Sequence, residues 1–169
     1  FVFPGRNVIV SDRKYDEVLT RELGITEQQI YGTRLLSIGE GMSDFVLTCN
    51  SREICEAVAI DPIYTLVAQS RNLKAYEKKC REYKIISLQD KARFGDIKKS
   101  VTNGAHLPLS SFDSLPFPDQ SFDIAVVSNV VDVVDHDQFL ADFYNRFDEI
   151  ERVVKQNGYV CCGKEPRQL

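Results

Sequence analysis

Several marks of other protein classes are missing from this chain of 169 residues. No apolar run approaches the roughly 20 residues that a membrane-spanning helix needs, so we expect no membrane partner. The five cysteines form no C-x-x-C pair, and there are only two histidines. That leaves no zinc-ligand spacing, so we expect no metal site. The odd cysteine count favours reduced thiols in a cytoplasmic compartment.

An excess of positive charge is also missing. The formal net charge is −4 and the sequence pI about 5.3, so nucleic-acid binding is not indicated. Lysine and arginine are enriched in residues 71–81 and 91–99, which we interpret as solvated helix faces. A composition that is 43% hydrophobic and 27% charged is typical of a soluble domain with a substantial core. The chain begins at Phe1 rather than at Met, which leaves open whether a segment precedes it.

The stretch from Arg34 to Ser43 organises the rest of the chain. Leu35, Leu36 and Ile38 predict a short buried strand, and Gly39 and Gly41 follow at once. A helix is predicted over residues 44–52. A strand that turns on glycines into a helix brings backbone N–H groups close to a ligand, and a Cβ atom would block that approach or the turn. A Gly-x-Gly pair alone also occurs in many ordinary tight turns.

A second predicted strand, residues 57–60, ends at Asp61. A carboxylate at the end of the second strand, about 20 residues beyond the glycines, is placed to accept hydrogen bonds from ribose hydroxyls. The alternative is that Asp61 caps a turn or helix ahead of Pro62. The spacing favours the ribose interpretation.

Strand and helix patterns alternate along the rest of the chain, which predicts an α/β fold. We expect a Rossmann-like, doubly wound, mostly parallel sheet with helices on both faces. Residues 1–33 would form a helical entry segment and residues 34–169 the ligand-binding part of a single domain. The predicted helices are residues 11–24 (Ser11 as N-cap, Gly24 as stop), 26–31, 64–83 and 137–155, the last ended by Asn157-Gly158. Further strands are predicted at residues 106–110, 124–129 and 159–162; residues 84–88 are a strand or a helix end, and residues 90–103 an irregular insertion with a short helix.

Three blocks of sequence resemble class I S-adenosylmethionine-dependent methyltransferases. The first is Leu35 to Ser43 with Asp61 after it. The second is Leu115-Pro116-Phe117-Pro118-Asp119-Gln120-Ser121-Phe122-Asp123. The third is the helix and turn from Glu149 to Tyr159. Their order and spacing fit the family, in particular its methyltransferase type 11-like members, over about residues 31–163. Each block also has a plainer interpretation, as packing residues and caps.

The resemblance implies a cofactor site for S-adenosylmethionine. By position, the Gly39-Glu40-Gly41 loop would face the methionine part, Asp61 the ribose and Ile63 the adenine ring. The remaining implied cofactor contacts are Ser111 and Asp113 near the adenine amino group, and Ser128 and Asn129 near the sulfonium and the substrate.

The sequence names no methyl acceptor, and we expect a small molecule. A general base helps methyl transfer to hydroxyl or ammonium acceptors. Asp132, Asp135 and His136 form the only cluster of candidates, with His136 as the candidate base. A lone histidine in a polar loop is more often simply exposed.

Two alternatives stay open. Ser37 stands where the family usually has an acidic residue, Asp113 lies two residues from its usual register, and the family's C-terminal antiparallel hairpin is expected to be missing or truncated. These departures favour a degenerate methyltransferase-fold subunit that binds a protein partner. Glycines followed by an aspartate also suit a nicotinamide-dinucleotide oxidoreductase, although the second and third blocks argue against it.

Overall fold

A computed structural model of the protein describes residues 8–10, 14–87, 93–109, 114–127, 147–162 and 165–168. Its strands are β1 (Val8–Val10), β2 (Arg34–Ile38), β3 (Glu56–Asp61), β4 (Ile85–Ser87), β5 (His106–Pro108), β6 (Phe122–Val127), β7 (Val154–Cys162) and β8 (Glu165–Gln168). Its helices are α1 (Tyr15–Glu17), a π-helical continuation (Val18–Leu23), α2 (Glu27–Ile30), α3 (Phe45–Ser51), α4 (Ile63–Gln69), α5 (Leu73–Glu82), α6 (Arg93–Thr102) and α7 (residues 147–153).

The main sheet has the strand order β5-β3-β2-β6-β7-β8. Its first five strands run parallel, and β8 joins β7 antiparallel. The strands β3 and β5 lie on one side of β2, and β6, β7 and β8 lie on its other side. The chain therefore builds the sheet outward from β2 in both directions. The predicted α/β doubly wound fold is confirmed. The antiparallel addition that we expected to be missing or truncated is represented by one four-residue strand.

Packing on both faces of the sheet follows from the alternation of side chains along β2. Leu35 joins one apolar cluster, with residues of α3, α4, α5 and α6. Leu36 and Ile38 join a second cluster on the other face, with Ile150 and Val153 of α7. Because both faces are covered, the central strands are mainly apolar, as at Leu35, Leu36 and Ile38 of β2 and at residues 124–127 of β6.

The entry segment begins with α1, whose first described helical residue is Tyr15; the proposed cap Ser11 lies outside the described residues. The helix ends at Gly24 as predicted. The second predicted helix is confirmed as α2, and Thr26 and Gln29 form a capping box at its start. The division at residue 33 stays a prediction.

The single helix predicted over residues 64–83 is wrong, because the structure has two helices there. The chain is extended at Ser70, and Asn72 caps the second helix by accepting a hydrogen bond from the Ala75 N–H at 3.0 Å. An asparagine side chain offers the backbone this local alternative to a continuous helix. Residues 85–87 form a strand, which pairs parallel with β1. Residues 93–102 form a full helix where we expected a mostly irregular insertion.

The helix predicted over residues 137–155 is also corrected at its end. Helix α7 stops at residue 153, and β7 begins at Val154. Asn157 and Gly158 therefore lie inside a strand and do not end the helix. A Cβ atom at Gly158 would lie 2.7 Å from the Asp123 carbonyl oxygen, so glycine permits this close approach of two strands.

Two expected absences concern membranes and metals. Across the described ranges, every helix is too short or too polar to cross a membrane. The same residues contain no group of three or more potential ligands that could hold a metal ion.

Candidate functional site

A glycine loop and an aspartate meet at the carboxyl ends of β2 and β3. Gly39 and Gly41 have φ values of 76° and 62°, a region that residues with a Cβ atom rarely adopt. The Gly39 N–H donates to the Ile60 carbonyl at 2.9 Å, and the Gly41 N–H donates to Asp61 Oδ2 at 2.9 Å. The loop is thus fastened to the end of β3, at the edge where parallel sheets bind ligands.

Asp61 holds the loop through one oxygen and the start of α4 through the other. Its Oδ1 accepts a hydrogen bond from the Ile63 N–H at 2.8 Å. Burial raises the pKa of Asp61 to about 6, although the N–H groups of Ile63 and Gly41 act in the opposite direction. Each carboxylate oxygen has a second lone pair, and Asp61 as a whole residue is partly exposed. Asp61 can therefore cap the turn, as the plainer interpretation had it, and still accept from the hydroxyls of a ligand.

Two further residues that were predicted to contact the cofactor are buried in the protein interior. Glu40 is 2% exposed, and its Oε1 accepts a hydrogen bond from the Val46 N–H of α3 at 2.8 Å. Ile63 is 1% exposed and belongs to the apolar cluster beside α3. Within the loop itself, Glu40 and Gly41 are buried and Gly39 is partly exposed.

Glu40 also bears on the missing acidic residue at Ser37. Ser37 is buried in β2, with 2% exposure, so a carboxylate there would enter the sheet interior. The loop instead carries its buried carboxylate three residues later, where Glu40 binds an N–H at the start of α3. A negative charge at a helix N-terminus is stabilising.

Tyr64 is a site residue that the sequence analysis missed. It is fully buried, and its hydroxyl donates to the Gly41 carbonyl at 2.8 Å. Gly41 is therefore held at both of its backbone groups, with Asp61 bound to its N–H and Tyr64 bound to its carbonyl. The only signal available in the sequence was the position of Tyr64 in the first turn of the helix that follows Asp61.

His106 packs against the ring of Tyr64. The two rings pack edge to face with centroids 4.9 Å apart, and His106 Nδ1 lies 2.7 Å from Ser100 Oγ. Burial lowers the pKa of His106 to about 4, so the imidazole is neutral at neutral pH. This histidine was not predicted to contribute to the site, and it acts on the site through packing.

The other predicted site residues lie outside the described part of the chain. They are Ser111, Asp113, Ser128 and Asn129 for the cofactor, and Asp132, Asp135 and His136 for the candidate base. Their assignments stay predictions.

The second and third sequence blocks meet at the opposite, amino ends of the strands. The guanidinium group of Arg152 in α7 donates hydrogen bonds to the carboxylates of Glu149 and Asp119 and to the carbonyls of Phe117 and Leu115, at 2.6 to 3.0 Å. The Leu115 N–H in turn donates to Glu149 Oε2 at 2.8 Å. These contacts fasten the proline-rich connection to α7, which is the structural role that the plainer interpretation assigned to them.

Asp123 joins three strands at the same edge, which we call the amino edge. Its Oδ2 accepts from the Arg34 N–H of β2 at 2.8 Å, and its Oδ1 accepts from Lys155 Nζ of β7 at 2.7 Å. Two adjoining open cavities of about 430 and 450 Å³ share Thr33 and Asp123. They are lined by residues at the amino ends of the strands, so they are separate from the glycine loop.

Comparison with known proteins agrees with this geometry. Residues 36–162 match the model of a methyltransferase domain family, a match that spans about three quarters of the chain. A segment of 66 residues is 41% identical to an uncharacterized methyltransferase of Schizosaccharomyces pombe, and covers 39% of this chain and 22% of that protein.

The solved structures to which this chain is similar include two methyltransferases. One is a putative S-adenosylmethionine-dependent methyltransferase of Methanococcus maripaludis, with 16% identity, a TM-score of 0.48 and coverage of 86% of this chain and 52% of that one. The other is an S-adenosylmethionine-dependent methyltransferase of Aquifex aeolicus, with 15% identity, a TM-score of 0.42 and coverage of 86% and 64%. The chain spans less than a quarter of the curated relative and about half of the first of these structures.

The family model covers the glycine loop, Asp61 and all three sequence blocks. This match overrules the nicotinamide-dinucleotide alternative, which rested on the glycines and Asp61 alone. The chain belongs to the methyltransferase domain family.

Proposed function

We propose that this protein is an S-adenosylmethionine-dependent methyltransferase that acts on a small-molecule acceptor. The observation that carries the proposal is the pairing of Gly41 with Asp61, 2.9 Å apart, at the carboxyl ends of neighbouring parallel strands. It places the carboxylate of Asp61 beside a loop of two glycines with positive φ, within the segment that matches the family.

The glycine loop and Asp61 suit the cofactor that the family implies. The backbone of residues 39–41 would hold the methionine part, and Asp61 would accept from the ribose hydroxyls. When bound, S-adenosylmethionine supplies a methyl group that is already activated on its sulfonium. The protein then has to position an acceptor and exclude water, which accounts for much of the rate of a two-substrate reaction.

The acceptor and its base remain part of the proposal. The net charge of −4 gives no electrostatic support for a nucleic-acid acceptor, so a small molecule is our first choice. His136 is the proposed base. The cytoplasm is the proposed compartment, because the four cysteines whose burial is described are buried and free.

The non-enzymatic alternative loses part of its support. It was motivated by Ser37, by the register of Asp113 and by the expected truncation of the C-terminal hairpin. For the first of these, the buried carboxylate of Glu40 provides the loop with an acidic group. A protein partner stays an expectation that stable co-purification would test.

Calorimetric titration with S-adenosylmethionine and S-adenosylhomocysteine tests the proposal. Asp61→Ala removes the two hydrogen bonds to ribose hydroxyls, and a charged hydrogen bond contributes about 1.5 kcal/mol or more. We expect its affinity to fall about 100-fold. The matched control is Asp123→Ala, which removes an aspartate of similar local bonding from the amino edge and should leave the affinity unchanged.

The same titration has outcomes that count against the proposal. Folded wild-type protein that binds neither ligand would overturn the cofactor assignment. Equal affinity of wild type and Asp61→Ala would leave the cofactor assigned but place the ribose elsewhere. Binding followed by a broad acceptor screen with no methyl transfer would overturn the enzymatic part.

A further inference from the structure

Asp44, just after the glycine loop, does not cap its own helix. It stands at the N-cap position of α3, but no N–H of α3 donates to its side chain. The Oδ1 atom instead accepts from the Tyr15 N–H, the first helical N–H of the entry segment, at 2.6 Å. The N-cap residue of α1, Lys14, makes no capping hydrogen bond with its side chain. The start of α1 is thus capped by a residue 29 positions away.

Arg93, the first residue of α6, reaches the same place from another direction. Its Nη1 donates to the Met42 carbonyl at 3.2 Å, and its Nη2 lies 3.9 Å from Asp44 Oδ2. The Arg93 side chain is 11% exposed and that of Asp44 is 30% exposed. A largely covered ion pair is screened by salt much less than a surface pair.

Three separate parts of the chain therefore converge on residues 42–44. The entry segment contributes Tyr15, and α6 contributes Arg93. Both meet the chain just after the glycine loop, at Met42 and Asp44. Neither α1 nor α6 belongs to the sequence blocks that define the family resemblance. Tyr15 of α1 nevertheless contacts Asp44, and Arg93 of α6 contacts both Met42 and Asp44, directly after the loop that holds the proposed methionine part.

We propose that Asp44 and Arg93 are positioning residues that couple docking of the entry segment to cofactor binding. This inference rests on the proposed function. Arg93 holds the Met42 carbonyl and the Asp44 carboxylate just after the loop, while Asp61 holds the Gly41 N–H within it. The loop can hold the ligand with full affinity only while the Tyr15 N–H and Arg93 both engage Asp44.

Thermodynamic linkage gives this coupling a second, independent consequence. If docking of the entry segment raises the affinity for the cofactor, then the cofactor must stabilise the docked segment by the same factor. Amide hydrogen exchange in residues 15–23 should therefore slow when S-adenosylhomocysteine binds. A purely structural role of Asp44 predicts no such dependence on ligand.

Contacts that do not involve Asp44 keep the variants folded. The Tyr15 ring stacks on Phe45 with centroids 5.7 Å apart, and the Tyr15 hydroxyl donates to Glu27 Oε2 at 2.8 Å. Arg52 also lies over the Tyr15 ring, 5.4 Å from its centroid. Loss of Asp44 should thus loosen the loop without removing the entry segment from α3.

The test uses the full chain and measures two quantities for each variant. They are the dissociation constant for S-adenosylhomocysteine by calorimetry, and the exchange rate of amides 15–23 with and without that ligand. Asp44→Ala and Arg93→Gln remove each partner, Asp44→Asn keeps an acceptor for the Tyr15 N–H but loses the charge, and Arg93→Lys keeps the charge. Glu82→Gln, which removes an exposed ion pair on α5, is the control.

We expect Asp44→Ala to bind about tenfold more weakly, the effect of one charged hydrogen bond. It should also lose the ligand-dependent protection of residues 15–23. Arg93→Lys should recover most of the affinity that Arg93→Gln loses, and Glu82→Gln should behave as wild type. Should Asp44→Ala fail to fold, Asp44→Asn and Arg93→Gln give the same comparison.

Two results separate this inference from the proposed function. If wild type binds the ligand but the folded Asp44 and Arg93 variants match it, or protection of residues 15–23 ignores the ligand, the coupling is refuted and the function stands. If folded wild type binds neither S-adenosylhomocysteine nor S-adenosylmethionine, the proposed function fails and takes the coupling with it.

Discussion

Two aspartates hold backbone N–H groups at opposite edges of the same sheet. Asp61 accepts from Gly41 and Ile63 at the carboxyl ends of the strands. Asp123 accepts from Arg34 at the amino edge, and Lys155 lies 2.7 Å from its other oxygen. Burial raises the pKa of both carboxyl groups, but at Asp123 the Lys155 ammonium and the Arg34 N–H outweigh burial and lower it. At Asp61 burial prevails, and the pKa rises to about 6.

The difference separates a structural carboxylate from one that is available to a ligand. Asp123 is paired with a cation of the protein, so its charged form is already stabilised in the free state. Asp61 is stabilised only in part, by backbone N–H dipoles, and a ligand that donates hydroxyl hydrogens would stabilise its charged form. Perturbed carboxyl groups of this kind are concentrated at functional sites. Changes at the amino edge should therefore alter stability, and changes near Asp61 should alter affinity.

The largest effect is expected at the amino edge, from Arg152→Met. The substitution keeps most of the apolar volume but removes the bonds to Glu149, Asp119 and two backbone carbonyls. Allowing for the partial exposure of the arginine, we expect the free energy of unfolding to fall by about 2 kcal/mol. Urea denaturation measures the change. Cofactor affinity should not change. An unchanged urea midpoint would show that the connection before β6 is held by packing alone.

Asp123→Ala should follow, with a loss of about 1.5 kcal/mol at neutral pH, because the Arg34 N–H loses its partner. The folded-state pKa of Asp123 is lowered. Its contribution is therefore present above the unfolded value near 3.8 and is lost as pH falls through the folded value. Denaturation at pH 7 and pH 3 should show the gap between variant and wild type closing at the acid end. A gap that persists at pH 3 would assign the loss to packing.

Acidification should weaken cofactor binding through Asp61. With a folded-state pKa of about 6, the carboxylate is mostly ionised at pH 7 and mostly protonated at pH 5, so we expect affinity to fall about tenfold between them. Stability of the free protein should change in the opposite sense. A raised pKa contributes stability that is complete below about 3.8 and is lost as pH rises through about 6.

Asp61→Asn is the control for both pH profiles, because it cannot titrate. Calorimetry and thermal unfolding on the two proteins, each across pH 4 to 8, isolate the contribution of this carboxyl group. If the variant keeps the wild-type pH dependence of affinity, another group is responsible for it.

Tyr64→Phe should produce the smallest effect, a loss of affinity of about fivefold. The change removes only the hydrogen bond to the Gly41 carbonyl, and one neutral hydrogen bond contributes about 1 kcal/mol. The ring and its contact with His106 remain, so thermal stability should change little. Titration of S-adenosylhomocysteine into both proteins measures the difference. A large drop in melting temperature without a change in affinity would make Tyr64 a core residue only.

Elements with a clear local pattern could be predicted from the sequence. The buried strands β2, β3 and β6 each contain a short apolar run, and the glycines and Asp61 follow at places where the chain must turn. The break between α4 and α5 and the end of α7 were predicted wrongly. There the outcome depended on a side-chain cap at Asn72 and on the pairing of Val154 with Phe122, and neither leaves a periodic signal.

The sequence by itself determined the alternation of strands and helices, the covered sheet, and the loop and carboxylate at its edge. Hydrophobic periodicity and glycine placement act between near neighbours, so they can be read directly from the chain. Only the tertiary structure decided that Tyr64 and Asp61 grip one glycine, that Glu40 faces inward, and that Asp44 joins Tyr15 to Arg93. Together with the hydrogen bond from Arg93 to the Met42 carbonyl, these contacts connect residues 6 to 51 positions apart. Folding brings these residues together through the packing of whole elements.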